Sequence, residues 1–400
     1  MTAAAEASTD TLRRRVLVVH PAMAPYRVDL FNLLARQCDL RVIFLHAVPP
    51  YAANLPREEL SADLECSWSV VSDGGRSPAR ALPGRLWREV SSFRPDVLVT
   101  HEFGWASVLS MLTPLAGRQA GRILWTTRST DQFAKLSTAR QIAVKTLAPR
   151  ADALLAYSKE ARLSLAAVAR MPESSMFVCA NHQDAGRLRH QADSTREEVL
   201  NECRRRGLAD RPLVVTVGRL VEVKDVATTI GGFARARDAL GESALVVVGD
   251  GPLRGTLELL ARDLGVADRV VFMGHVSSAQ VQGWLSIAAL TVLASLAEPF
   301  GAVVAEGLAH GAPCICSSTA GASVLINSPM RGVTVPPGDL GAMEWAFRSR
   351  AADLQRATDL AGSRRDDLRP LTVHDDASGF LAAVAYAVGA RAARRERGAA

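Results

Sequence analysis

What the 400-residue chain lacks narrows its class before any motif is read. Aromatic residues make up only 5% of it, and no stretch interleaves them with basic residues in a repeated pattern. Neither an RRM signature nor zinc-finger spacing occurs. The net charge of +6 therefore reads weakly as a nucleic-acid footprint, and better as affinity for an anionic small substrate or a membrane surface. Six cysteines (Cys38, Cys66, Cys179, Cys203, Cys314 and Cys316) are scattered without CxxC spacing, which fits reduced cytosolic thiols. No apolar run reaches the roughly 18 residues that cross a bilayer. The start, MTAAAEASTDTLRRR, has no apolar signal-peptide core, so residues 1–12 are expected to be a disordered tail and the protein cytoplasmic. No GxGxxG follows a strand, which disfavours an NAD-linked oxidoreductase.

What is present is a globular composition, 48% hydrophobic and 22% charged, on a length that suits about two domains. Short apolar runs alternate with helical patterns. RVLVVH (15–20), RVIFL (41–45), DVLVT (96–100), RILWTT (122–127), ADALLAY (151–157) and SMFVCA (175–180) read as buried parallel strands. A polar, charge-rich stretch over 184–211 reads as an interdomain connection. The alternation restarts with LVVTVG (213–218), ALVVVG (244–249), RVVFMG (269–274), LTVLAS (290–295), PCICSS (313–318) and GVTVP (332–336). Alternating β and α elements imply parallel sheets covered by helices on both faces. The expected fold class is α/β, with two doubly wound Rossmann-like domains facing across a cleft. The N-terminal one spans 13–183 and the C-terminal one 212–372, followed by a helix at 373–400 that packs back on the first. Ligands of such sheets bind outside the carboxyl ends of the strands.

The chemistry concentrates in AEPFGAVVAEGLAHGAP. Seven residues separate Glu298 from Glu306. Pro299 fits the first position of a helix and Gly311 its end. Glu298 would then feed the helix and Glu306 would lie two turns in, roughly 12 Å away along the axis. The unpaired N–H groups of the helix start between them suit phosphate. Gly301 leaves room for a ligand against the backbone. A ligand with hydroxyls at both ends and phosphates between, such as a nucleotide sugar, matches this layout. Read alone, Glu298 is equally a partner of the helix dipole and Glu306 a solvated helix residue. The apolar neighbours Ala305, Gly307, Leu308 and Ala309 weigh against the second of these. In VGRLVEVKDV, Arg219 and Lys224 follow a strand end, where two cations suit a diphosphate. In VVVGDGPLRG, Gly249, Gly251 and Pro252 make a tight strand-to-helix turn.

Together these segments resemble the retaining glycosyltransferases of family 4, which have the GT-B fold. GRLVEVK resembles the family's GRL…K loop, GDGPLRGTLELL its GDGP turn, VVFMGHV the strand edging the base, and EPFGAVVAEGLAHGAP its E-x7-E signature. TAGA followed by GVTVPPGD resembles the segment after it. The likeness covers roughly residues 210–345. It implies that Glu298, with the backbone of Phe300 and Gly301, holds donor-sugar hydroxyls, and that Glu306 holds the ribose. Arg219 and Lys224 would stabilise the departing diphosphate, Gly218 would open the donor loop, and His275 would border the base. No metal and no cofactor are expected, and no DxD stands beside a strand end.

The first half resembles the family less closely. HPAMAPYRVDLFNLLA carries Arg27 in a Pro-Tyr-Arg form, where it either reaches phosphate or pairs on its own helix. His101, in VTHEFGW, is either a cleft residue or a structural one. Where many members have a histidine, WTTRST places Thr127 and Arg128, which departs from the family pattern. The linker reads NHQD (181–184) where the family usually has NGVD.

The resemblance implies transfer of a sugar from a UDP- or GDP-linked donor to an acceptor hydroxyl with retention. The expected setting is synthesis of cell-envelope polysaccharide, a glycolipid or a secondary-metabolite glycoside. Alternatives are a phosphorylase or synthase of the same fold using a free sugar or sugar phosphate, and a non-catalytic nucleotide-sugar-binding subunit. RSPARALPGRLWREVSSFR (76–94) joins Arg76, Arg80, Arg85 and Arg88 to Leu82, Leu86 and Trp87. It is either an ordinary helix over a sheet or one that also meets an anionic bilayer and a lipid-linked acceptor.

Overall fold

Val16, Leu17, Val18 and Val19 are each at most 1% exposed. A run that is apolar on both faces has only one stable place as a strand, inside a parallel sheet covered on both sides. The computed structural model describes residues 14–47, 63–72, 78–101, 104–112, 120–126, 142, 145–157, 159–169, 171–180, 182–298, 300–356 and 373–399. Its first sheet holds β1 (Arg15–Ala22), β2 (Asp39–His46), β3 (Ser67–Ser72), β4 (Val97–His101), β5 (Gly121–Thr126), β6 (Ala153–Ala156) and β7 (Met176–Val178). All neighbours are parallel, in the order β3-β2-β1-β4-β5-β6-β7. Strand β3, SWSVVS, was not expected. It is a half-buried edge strand in which serines interrupt the apolar residues, so it shows no continuous run.

The second sheet holds β8 (Leu213–Val217), β9 (Ala244–Val248), β10 (Val270–Gly274), β11 (Leu290–Leu293), β12 (Cys314–Ser317) and β13 (Gly332–Val335). Its order is β10-β9-β8-β11-β12-β13, again all parallel. Both sheets are doubly wound. The order reverses between β1 and β4 in the first and between β8 and β11 in the second. At such a switch point the loops leaving the two central strands diverge and open a crevice.

The chain divides into two compact units, residues 1–182 with 373–400, and residues 183–372. The stretch 184–211, expected as a connection, differs from that reading. It carries helix Ala185–Arg205 and belongs to the second unit. Asp184 caps the helix by accepting from the Arg187 N–H at 2.8 Å. Leu188, Ala192, Val199 and Cys203 form a narrow buried stripe along it. Thr195 on the same side donates to the Ala279 carbonyl of helix Ser278–Ser286 at 3.0 Å. Four inward positions in 21 residues are too few to stand out from the charged ones.

Helix Val373–Ala399 belongs to the first unit. Its Asp376, 3% exposed, accepts from the backbone N–H groups of Ala180 and His182 at 2.8 and 2.9 Å. Further along, Arg391 and Arg394 reach the buried Asp152 carboxylate at 3.0 and 3.3 Å. Helix Pro78–Phe93 lays Leu86, Val90 and Phe93 against Leu17 and Leu98 of the first sheet. Trp87 on its outer side is 58% exposed, and Arg88 is exposed beside it. Arg76 and the side chains of Arg80 and Leu82 lie outside the described residues. Among the described residues no helix is long and apolar enough to cross a membrane. All six cysteines are unbridged and buried.

Candidate active site

In the second unit Gly218, Arg219, Lys224 and Glu298 stand on the two loops at the switch point. The loop leaving β8 begins at Gly218, passes the exposed Arg219, and tightens into a short 3-10 turn, Glu222–Lys224. Asp225 follows in the left-handed region at φ 46°, and its side chain caps helix Val226–Arg235. This turn brings Lys224 back toward the sheet. The loop leaving β11 brings Glu298 to meet it, and Lys224 Nζ forms an ion pair with Glu298 Oε2. The backbone joins the same loops, since the Leu296 N–H donates to the Val223 carbonyl at 2.9 Å. Ser295 Oγ donates to the same Glu298 oxygen at 3.4 Å. A narrow cavity beside the pair is lined by Thr216, Gly218, Leu220, Lys224, Leu293 and Ala294.

The GDGP turn buttresses the first loop. Leu220 N–H donates to the Asp250 carbonyl at 2.9 Å, and Leu253 N–H to the Leu220 carbonyl at 3.1 Å. Gly249 sits at φ +133°, where a Cβ would stand 2.0 Å from the Gly218 carbonyl oxygen. Only glycine permits both that backbone and that approach. On the other side, the segment with TAGA closes on the Glu298 loop. Ala322 N–H donates to the Phe300 carbonyl at 2.7 Å, and Gly321 N–H to the Glu298 carbonyl at 3.4 Å.

The acidic segment itself differs in one respect from expectation. Its helix is Ala302–Ala309, capped by Gly301 at φ 92°. Pro299 lies outside the described residues. Glu306 is therefore the fifth residue of the helix, one turn in and not two. The left-handed glycine, compatible with no other side chain at low cost, sets the start. A Cβ on Gly301 would also meet Leu293 Cδ2 at 2.4 Å and Glu298 Cγ at 3.2 Å. Phe300 is 4% exposed, so its side chain anchors the loop.

Glu306 is held by residues that the sequence reading did not single out. Gln183 donates from Nε2 to Glu306 Oε1, and Gln282 supplies a second side-chain hydrogen bond. Burial raises the Glu306 carboxyl above its ordinary pKa, and these two bonds and the Arg187 charge oppose that shift. Gln183 lies in the NHQD stretch and Gln282 within a helix. Neither position carries a local signal, because both act through chain brought close only by folding. His275 is exposed just after β10. Burial first, and then the Glu298 charge, push the Cys316 thiol up to about 12, so it is inert packing beside the site.

In the first unit, Arg27 and His101 also stand at a switch point, after β1 and at the end of β4. Arg27 is 1% exposed. It donates to the Ala180 carbonyl at 3.0 Å and to the Tyr157 hydroxyl, and its guanidinium lies 4.2 Å from the Trp125 ring centre. These partners lie on other elements and not on its own helix. His101 is half-buried, its ring 4.7 Å from that of His20 and its Nε2 3.4 Å from the Tyr157 hydroxyl. His20, also not foreseen, is kept well below the usual histidine pKa by burial and by the His101 and Arg27 charges. Its neutral ring donates from Nδ1 to the Ala22 carbonyl at 2.8 Å. Thr127 and Arg128 lie outside the described residues.

Residues 202–361 match the family model of glycosyl transferases group 1. A GDP-mannose-dependent alpha-(1-6)-phosphatidylinositol monomannoside mannosyltransferase of Mycolicibacterium smegmatis is 29% identical over 263 residues, which are 64% of this chain and 68% of that protein. An alpha-D-kanosaminyltransferase of Streptomyces kanamyceticus is 31% identical over 52% of each chain. The matches thus span about half to two thirds of these relatives. Among solved structures, Anabaena HepE in complex with UDP and glucose superposes with a TM-score of 0.70 at 16% identity, covering 92% of this chain and 98% of that one. The parallel sheets and the loop motifs of the second unit agree with these matches: residues 202–361 are those of the glycosyl transferases group 1 family, and the chain has the GT-B fold.

Proposed function

We propose that the chain transfers a sugar from a nucleoside-diphosphate sugar to an acceptor hydroxyl with retention at the anomeric carbon. The observation that carries this reading is the meeting of Lys224 and Glu298, 74 residues apart in sequence, at the switch point and just before helix Ala302–Ala309. Glu298 is then available to donor-sugar hydroxyls. Lys224, with Arg219 on the same loop, faces the diphosphate. Glu306 takes the ribose hydroxyls and His275 borders the base. The bond from the anomeric carbon to the diphosphate oxygen breaks as the acceptor oxygen bonds on the same face. The leaving diphosphate takes the acceptor proton. Negative charge grows on that diphosphate, and cations fixed beforehand lower the barrier by meeting it where it grows.

The donors named for relatives and neighbours support a nucleotide sugar, with GDP-mannose in one and UDP with glucose in another. A screen of UDP-, GDP- and ADP-sugars, read by nucleotide release and by the anomeric configuration of the product, tests the reading. Release from none of them, or an inverted product, overturns it.

For the acceptor, we propose an amphiphile met at the surface of an anionic membrane. The exposed Trp87 and Arg88 on helix Pro78–Phe93 support this, as does the phosphatidylinositol mannoside named for one relative. Purified protein that ignores anionic liposomes at low salt rules the membrane contact out.

A further inference from the structure

Glu306 lies at the meeting point of two amide side chains, each fixed from behind. Arg187 Nη2 donates to Gln183 Oε1 at 3.1 Å. Arginine only donates, so this contact forces the Gln183 oxygen toward Arg187 and turns its NH2 toward Glu306. On the other side, His310 Nε2 lies 3.0 Å from Gln282 Oε1. An amide oxygen only accepts, so His310 is the donor there, and the Gln282 NH2 is left for Glu306. Gln282 and His310 are 2% and 5% exposed, so the Gln282 amide is not free to turn over against water. The donors run one way on both sides, from Arg187 through Gln183 and from His310 through Gln282, and end on one carboxylate.

Structural need alone explains this poorly. A buried carboxyl held only for packing costs more than an apolar side chain of the same size. The four residues come from three separate stretches of chain around helix Ala302–Ala309. Gln183 and Arg187 flank the start of helix Ala185–Arg205, Gln282 lies in helix Ser278–Ser286, and His310 follows Glu306 by one turn. Each fixed NH2 occupies one lone pair of the carboxylate and keeps it in one rotamer. The remaining lone pairs then point in fixed directions, which is what acceptance of two vicinal hydroxyls requires.

We infer that Gln183 and Gln282, locked by Arg187 and His310, are positioning residues that aim the Glu306 carboxylate at the ribose hydroxyls of the donor. The inference rests on the proposed role of Glu306 and goes beyond it in naming what makes that role possible. Arg187 brings positive charge to the site, and His310 acts through the bond it donates to Gln282. Because the Gln183 bond helps to keep Glu306 ionised, its loss moves protonation of Glu306 to higher pH.

The test compares binding of UDP and GDP with that of their 2′,3′-dideoxy analogues, in wild-type protein, Gln183→Leu and Arg187→Met. Removing the ribose hydroxyls should weaken wild-type binding by about 10- to 150-fold, the range for hydrogen bonds to a charged group. In Gln183→Leu the same comparison should shrink to about 3-fold or less, with the acid limb of nucleotide affinity moved to higher pH. In Arg187→Met, where the amide of Gln183 is free to turn, the ratio should fall between the two. Only a residue acting through Glu306 changes this ratio, since general loosening of the unit weakens both ligands alike. A wild-type preference for ribose that survives whole in both variants overturns the positioning role and leaves the reading of Glu306 standing. No preference in the wild-type protein overturns that reading itself, and the positioning role with it.

Discussion

At the scale of single residues, the two glutamates are expected to fail differently. In the proposed role Glu306 would contact a part of the donor that is unchanged during transfer, so Glu306→Ala should mainly raise the donor KM. Glu298 in its proposed role would contact the ring whose charge and shape change, so Glu298→Ala should lower kcat by about 10-fold or more and spare free-nucleotide affinity. Titrating both variants with UDP and GDP checks this, and equal loss in both sinks the division of labour. The ion pair adds a condition, since Glu298→Ala also removes the partner of Lys224. A second residue-scale expectation concerns His20. Its folded pKa is depressed by burial and by the His101 and Arg27 charges, so below the ordinary 6.5 the unfolded chain takes up a proton that the folded one refuses. Stability should therefore fall as pH falls, by about 1 kcal/mol between pH 6.5 and 5.5 from this group. Urea midpoints for wild-type protein and His20→Gln across that range measure it, and parallel curves exclude His20 as the source.

At the scale of elements, the site depends on two loops braced by a turn. Gly249 has no room for a side chain against the Gly218 carbonyl, and its φ of +133° suits no other residue. Gly249→Ala should destabilise the second unit by about 2–3 kcal/mol and displace the Arg219 and Lys224 loop. Gly255, in helix Arg254–Asp263 with nothing within 4 Å of a Cβ, is the control. Gly255→Ala should stabilise slightly, by about 0.4–1 kcal/mol. Equal melting shifts in the two variants would contradict the bracing. The same loop bears on metals. In the proposed reading Arg219, Lys224 and the N-terminus of helix Ala302–Ala309 would supply the positive charge that a divalent ion would bring. Among the described residues no group of three or more His, Cys, Asp or Glu is placed to share a metal. Transfer activity is expected to survive EDTA, and loss on chelation with recovery on adding manganese or magnesium would overturn this.

At the scale of the whole molecule, the chain passes from the first unit to the second between residues 182 and 183 and returns by residue 373. The first unit is therefore complete only when the last segment of the chain is in place. Asp376 is the most consequential contact of that return, because two buried backbone N–H groups depend on its carboxylate. Asp376→Ala leaves both unsatisfied, at about 1–3 kcal/mol each, whereas Asp376→Asn keeps one accepting oxygen. Urea unfolding of the two variants should rank them with Ala well below Asn. A neutral Ala variant would show that the last helix is held by its other contacts, such as Phe380 against Trp125 at 5.7 Å and Arg391 on Asp152 at 3.0 Å.

The sequence by itself determined the strands whose residues are buried on both faces, since such runs have no other stable setting. It also carried the GRL…K loop, the GDGP turn and the paired glutamates, because glycine conformation and charge at a strand end are local properties. Strand β3 escaped because an edge strand mixes serine with apolar residues. Helix Ala185–Arg205 escaped because only four of its residues face inward. The start of helix Ala302–Ala309 was misplaced because Pro299 and Gly301 both fit a helix start, and only the packing of Gly301 against Leu293 chose between them. Tertiary structure alone decided that Arg27 spends its charge on Trp125 and Tyr157, that Lys224 meets Glu298, and that Gln183 and Gln282 hold Glu306. A side chain's hydrogen-bond partner is set by which elements fold against it, and that proximity is not written in the residues on either side.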